Sequence, residues 1–95
     1  MTRIDVRTEP SPTRDRWRCT VGVADEGGET THVVAVGRAD LERLDPGADD
    51  PTDLVRRSFE FLLARESKES ILPSFDLTVI GRYFPDYETA IRGRV

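Results

Sequence analysis

The sequence predicts a small α+β domain of two layers, an antiparallel hairpin-based sheet packed against one long helix and a broken C-terminal helix. Three observations predict it. Trp17, Cys19, Val21 and Val23 fall on every second position, the pattern of a strand buried on one face. Asp25-Glu26-Gly27-Gly28-Glu29 then supplies turn glycines before a β-branched return from Thr30 to Gly37. Finally, Asp50-Pro51 opens a segment whose apolar residues recur at helical spacing.

Taken in order, Ile4 and Val6 alternate with polar residues before the breaker Glu9-Pro10-Ser11-Pro12, so residues 1–12 read as an edge strand or a loosely attached arm. Arg38 to Leu44 either extends the second hairpin strand or makes a helical turn, ended by Asp45-Pro46-Gly47. In the next helix Asp50 is the expected N-cap, Pro51 the first helical residue and Asp53 a carboxylate at the positive end of the dipole, with the helix running to about Glu66. Leu54, Val55, Ser58, Phe59, Phe61, Leu62 and Leu63 cover roughly 200° of its surface, more than one sheet can use. The surplus has to be met by the C-terminal segment or by another chain.

In that segment Phe75, Leu77 and Val79 alternate as in a strand, whereas Leu77, Ile80, Phe84, Tyr87 and Ile91 follow a helical period. The helical reading is preferred over 75–80, capped by Ser74 or Asp76 and interrupted or restarted by Pro85. With 95 residues the whole chain, 1–95, makes one domain.

Composition narrows the function classes. A net charge of −4 argues against a protein that coats duplexes through many phosphate contacts. No apolar run exceeds four residues, so no membrane span is expected and the cytoplasm is the default location, consistent with the single Cys19.

No catalytic, cofactor or metal site is expected. His32 reads as an exposed sheet residue and Cys19 as a core thiol on the Trp17/Val21 face. Asp45, Asp49, Asp50 and Asp53 lack the spacing of a calcium loop and serve turn and cap chemistry. Gly27-Gly28 is not followed by the helix and lysine of a phosphate cradle.

Two surfaces attract attention. Arg14, Arg16 and Arg18 project from one strand face and are candidate contacts for an anionic ligand, although a solvated face paired across the hairpin explains them as well. Tyr83 and Tyr87 are expected at a rim left by Phe84 and Ile80, which pack on the long helix. With Phe61 and Leu63 of the wide apolar arc they are the candidate partner-binding residues.

The stretch Ser58 to Glu88, reading SFEFLLARE and then SILPSFDLTVIGRYFPDYE, resembles a group of short bacterial proteins that share a FEFLL-RE, FDL-VI, YFP-YE pattern. That resemblance rests on apolar and aromatic residues and implies no activity. The hairpin followed by a helix is also similar in layout to the HicB antitoxin family, whose domain binds and masks a small RNase toxin. The Pro-Gly-Cys signature of that family is missing here, which leaves the likeness at the level of fold.

The expected function is therefore a small non-enzymatic binding or adaptor protein acting on a protein partner or on a second copy of itself. An antitoxin-like or regulatory nucleic-acid-associated protein is the alternative. An enzyme active only within a complex is a third reading.

Overall fold

In the computed structural model, residues 1–10 and 15–92 are described. The strands are β1 (Arg3–Pro10), β2 (Arg16–Asp25), β3 (Gly28–Gly37) and β4 (Ser74–Asp76). The helices are α1 (Arg38–Leu44), α2 (Thr52–Leu63), α3 (Val79–Tyr83) and α4 (Tyr87–Arg92), with a 3-10 turn at Lys68–Ser70. One sheet of order β1-β2-β3-β4 has the first three strands antiparallel and β4 parallel to β3. A parallel pair needs a crossover, and the stretch carrying α1 and α2 provides it. The architecture is α+β, as the sequence pattern requires.

The alternation of β2 and β3 sets which face is buried. Trp17, Cys19, Val21 and Val23 point to the core beside Val34 and Val36, while Arg16 and Arg18 lie exposed on the opposite face. At the hairpin Asp25 pairs with Gly28, and the Gly27 N–H donates to Asp25 Oδ1 at 2.8 Å. Gly28 holds φ at +121°, a region that a side chain strongly disfavours.

At the N-terminus, the arm-or-strand alternative resolves as strand: β1 is paired with β2 from Arg3↔Ala24 to Pro10↔Trp17. Arg38–Leu44, left open between strand and helix, is helix α1. α2 begins one residue later than expected: Pro51, expected as its first residue, is instead the N-cap, its carbonyl accepting the Val55 N–H at 2.8 Å, while Asp50 Oδ1 accepts the Thr52 N–H at 2.9 Å from just outside the helix. It stops at Leu63, short of the expected Glu66. Arg65 and Glu66 instead donate their N–H groups to the Leu62 carbonyl, which closes the last turn.

The preferred helix over 75–80 is corrected. Ser74–Asp76 forms β4 beside β3, with the Val33 N–H donating to the Pro73 carbonyl and the Leu77 N–H to the Ala35 carbonyl, both at 2.9 Å. Helix begins only at Val79, after Asp76 Oδ1 has accepted the Thr78 N–H. Phe84 is extended ahead of Pro85, and α4 starts at Tyr87, so proline breaks the helix as anticipated.

The surplus arc of α2 is covered by the chain itself. Phe61 meets Phe84 and Tyr87 edge-on, with centroids 5.8 Å and 5.3 Å away, and the Arg65 guanidinium sits 3.6 Å over its ring. Pairs of this geometry contribute about 0.5–1.5 kcal/mol each beyond area burial. The tertiary demand made by the wide arc is met by α3, α4 and the bend between them.

Candidate partner-binding groove

A groove of about 380 Å³ opens where the C-terminal end of α2 faces the segment from Ser70 to Phe84. Leu62 and Glu66 contribute one wall, Ile71, Leu72 and Phe75 the floor and one rim, and Ile80, Tyr83 and Phe84 the other wall. Leu72 is 45 % and Tyr83 69 % exposed, and with Met1 they are the exposed large hydrophobics among the described residues. Both lie on this groove.

The floor is held from the sheet. His32, on β3, is 2 % exposed and bonds through Nδ1 to the Leu72 carbonyl at 2.8 Å and through Nε2 to Thr30 Oγ1 at 2.9 Å. Since a carbonyl only accepts, Nδ1 carries a proton, and in the neutral ring Nε2 accepts from the Thr30 hydroxyl. The imidazole also lies 5.4 Å from the Phe59 ring, whose other neighbour is Phe75 of the groove at 6.1 Å. The expectation of an exposed His32 is thereby overturned. Its parity with Val34 and Val36 places it on the core side, where its two polar atoms are satisfied.

The far end of the segment is held by Lys68, which is 4 % exposed. Its Nζ donates to Asp25 Oδ1 at 2.7 Å and to Glu69 Oε2 at 2.6 Å, tying the 3-10 turn to the β2–β3 hairpin. The hydrogen bonds from Lys68 hold both carboxyl groups below their ordinary values, and those carboxylates raise the lysine.

Of the four residues expected at a partner surface, only Tyr83 is exposed there. Phe61 is buried under Phe84, Tyr87 and Arg65, and Leu63 is half-buried against the core, away from the groove. Tyr87 is 1 % exposed and its hydroxyl lies 2.6 Å from Ser58 Oγ. The expected rim position of Tyr87 is corrected: Tyr87 is buried in α4 with Ile91, its partner in the helical period, and is bonded to α2, so it is core. Leu72, just after the 3-10 turn, carries no periodic signal in the sequence.

Of the arginine row, the structure describes Arg16 and Arg18. Arg14 lies outside the described residues. Arg16 is committed across the sheet to Asp76, at 2.6 Å, while Arg18 is exposed opposite Glu9. Cys19 is fully buried, and burial pushes its thiol up, with a bond to Thr8 Oγ1 opposing that shift. Asp45 and Asp53 both pair with Arg57, and Asp50 Oδ1 accepts the Thr52 N–H just ahead of α2. Among the described residues no cluster of His, Cys, Asp or Glu is placed to hold a metal ion, and no helix is long and apolar enough to cross a membrane. No family model, curated protein or solved structure matches the chain.

Proposed function

We propose that this chain is a non-enzymatic cytoplasmic binding module that seats an apolar side chain of a protein partner between Leu72 and Tyr83, with Glu66 receiving a neighbouring basic group. One observation carries the reading: the single cysteine, histidine and lysine are committed inside the fold, whereas exposed apolar surface gathers at this groove. Cys19, His32, Ser58, Lys68 and Tyr87 are all buried. Leu72 and Tyr83 stand open, and Glu66 supplies a carboxylate at their side. Apolar anchors in a pocket with one charged neighbour are the usual means by which a small interface gains both affinity and orientation.

The test is a peptide-display selection against the folded chain. Enriched peptides should carry a large apolar residue close to Lys or Arg, lose binding to the Leu72→Asp variant, and exchange the basic residue for an acidic one when selected against Glu66→Lys. Absence of enrichment, or binding indifferent to Leu72→Asp, rejects the groove. The antitoxin-like or nucleic-acid-associated reading stands second because Arg16 is already paired with Asp76. Retention of RNA at ~0.1 M salt that is abolished by Arg18→Glu would reverse that order.

A further inference from the structure

Within the described residues, β1 is the last strand of the sheet, and the direction of its backbone groups follows from bonds elsewhere. In β3 the Val33 N–H and the Ala35 carbonyl are bonded to the β4 side, so odd-numbered residues of β3 face β4 and even-numbered ones face β2. The Arg38 N–H donating to the Asp15 carbonyl at 2.7 Å continues the same phase. Odd-numbered residues of β2 therefore face β3, and even-numbered ones face β1. Through the register Arg18↔Glu9, Thr20↔Arg7, Gly22↔Asp5 and Ala24↔Arg3, the odd-numbered residues of β1 are bonded to β2. The N–H and C=O groups of Ile4, Val6 and Thr8 consequently point to the side of β1 that no other described strand pairs. The Arg56 guanidinium reaching the Ile4 carbonyl at 2.5 Å agrees with this direction and leaves that oxygen a second lone pair.

An edge of this kind is a template for another strand, and charge on it decides which strand. The outward side chains of β1 are Arg3, Asp5, Arg7 and Glu9, all exposed and alternating in sign. We infer that β1 pairs antiparallel with β1 of a second copy of this chain, about a two-fold axis through Val6. In that register Arg3 lies opposite the partner's Glu9 and Asp5 opposite the partner's Arg7, and the same contacts repeat across the axis. Ile4 meets the partner's Thr8 through backbone hydrogen bonds, as Val6 meets the partner's Val6. The charged pairs fall at the non-hydrogen-bonded positions, where facing side chains come closest.

Sliding the strands by two residues either way sets Arg3 against Arg7 and Asp5 against itself, or Asp5 against Glu9 and Arg7 against itself. Both slips oppose like charges, so the sequence selects the register centred on Val6. Pairing there also covers Ile4 and Val6, which the fold leaves half-buried although they touch the core. Pro10 aims its missing N–H at the same edge, which confines the ladder to Ile4 through Thr8. One strand pair is a narrow contact, which makes the dimer concentration-dependent. It leaves the groove free, because the β4 side lies at the other end of the strand order.

Sedimentation velocity of the full chain in low salt, over a series reaching about 1 mM, the weak limit of specific association, tests this. The wild type should dimerise as concentration rises. Asp5→Arg alone and Arg7→Glu alone each oppose like charges and should weaken dimerisation at least about tenfold, the size of one lost favourable charge contact. Mixed in equal amounts, these two variants again oppose unlike charges, Arg against Glu and Arg against Asp, and the mixture should dimerise like the wild type. In the wild type the Val6 amide should also exchange more slowly as concentration rises. A monomer throughout, single variants that dimerise normally, or a mixture that stays monomeric would each overturn the pairing. Since Asp5 and Arg7 are exposed, unchanged melting of both variants separates these outcomes from misfolding.

Discussion

The Tyr87 hydroxyl donates to Ser58 Oγ across 2.6 Å of buried space, and the Ser58 hydroxyl donates in turn to the Leu54 carbonyl at 2.8 Å. This relay fastens α4 to the middle of α2. It explains how a chain with a wide apolar arc closes on itself: the ring of Tyr87 covers Phe61, and its polar end finds an acceptor that α2 already carries. Burial holds the phenol up at about 12, against an ordinary value of 10.0.

The neutral phenol is thus favoured by the fold. Its contribution is complete below about pH 10 and is lost as pH rises towards 12, on the order of 2–3 kcal/mol over that range. Urea unfolding at pH 9 and pH 11 should show the loss, and Tyr87→Phe should reduce it. At pH 7 the same variant should cost about 1–2 kcal/mol, because a buried hydrogen bond disappears while the ring remains.

Phe61 and Tyr83 look equivalent in the sequence, and the structure separates them. Phe61→Ala should destabilise by about 3–5 kcal/mol, since it empties the space beneath Phe84, Tyr87 and Arg65. Tyr83→Ala should stay within about 0.5 kcal/mol of the wild type in chemical denaturation, yet abolish peptide binding at the groove.

What could be read from the chain follows from the range of the interactions. The β2–β3 hairpin, the start of α2 and the break at Pro85 depend on neighbours within a few residues; the hairpin and the break are where the pattern placed them, and α2 starts one residue beyond the expected Pro51. β4 depends on β3, far away in sequence: Phe75 and Leu77 alternate for only a moment, and the Val33 and Ala35 backbone groups decide the matter. Likewise nothing local marks Leu72 as a rim residue, or Lys68 as a buried tie. Tyr83 was legible as a surface residue, whereas Tyr87 required knowledge of the face that α4 turns to Ser58.

Lys68 connects the groove segment to the hairpin through Asp25 and pairs with Glu69 in its own turn. Because hydrogen bonds from Lys68 lower both carboxyl groups, their support is complete above their unfolded values, near 3.8 and 4.5, and is lost as pH falls through the lower folded values. Acid unfolding should therefore steepen below about pH 4.5, the ordinary range of these carboxylates. Asp25→Asn should flatten that slope and lower the melting temperature at pH 7, measured by circular dichroism. Lys68→Met should do the same, with the 3-10 turn losing its tie to Asp25.

His32 joins the core to the candidate site, so a change there should be felt in both. His32→Leu approximates the volume of the ring but leaves the Leu72 carbonyl and the Thr30 hydroxyl without their partner. Each polar group stripped of its bond costs about 1–3 kcal/mol if it stays buried, less if it turns to water. The Thr30 hydroxyl can reorient at the half-exposed strand, whereas the Leu72 carbonyl can escape only if residues 71–73 move outward. The expected result is a loss of about 2–3 kcal/mol in chemical denaturation. Amide exchange should also accelerate at Val33, whose N–H is bonded to the Pro73 carbonyl, and peptides that occupy the wild-type groove should bind more weakly. Unchanged exchange at Val33 would mean that the β3–β4 ladder holds the floor without the histidine.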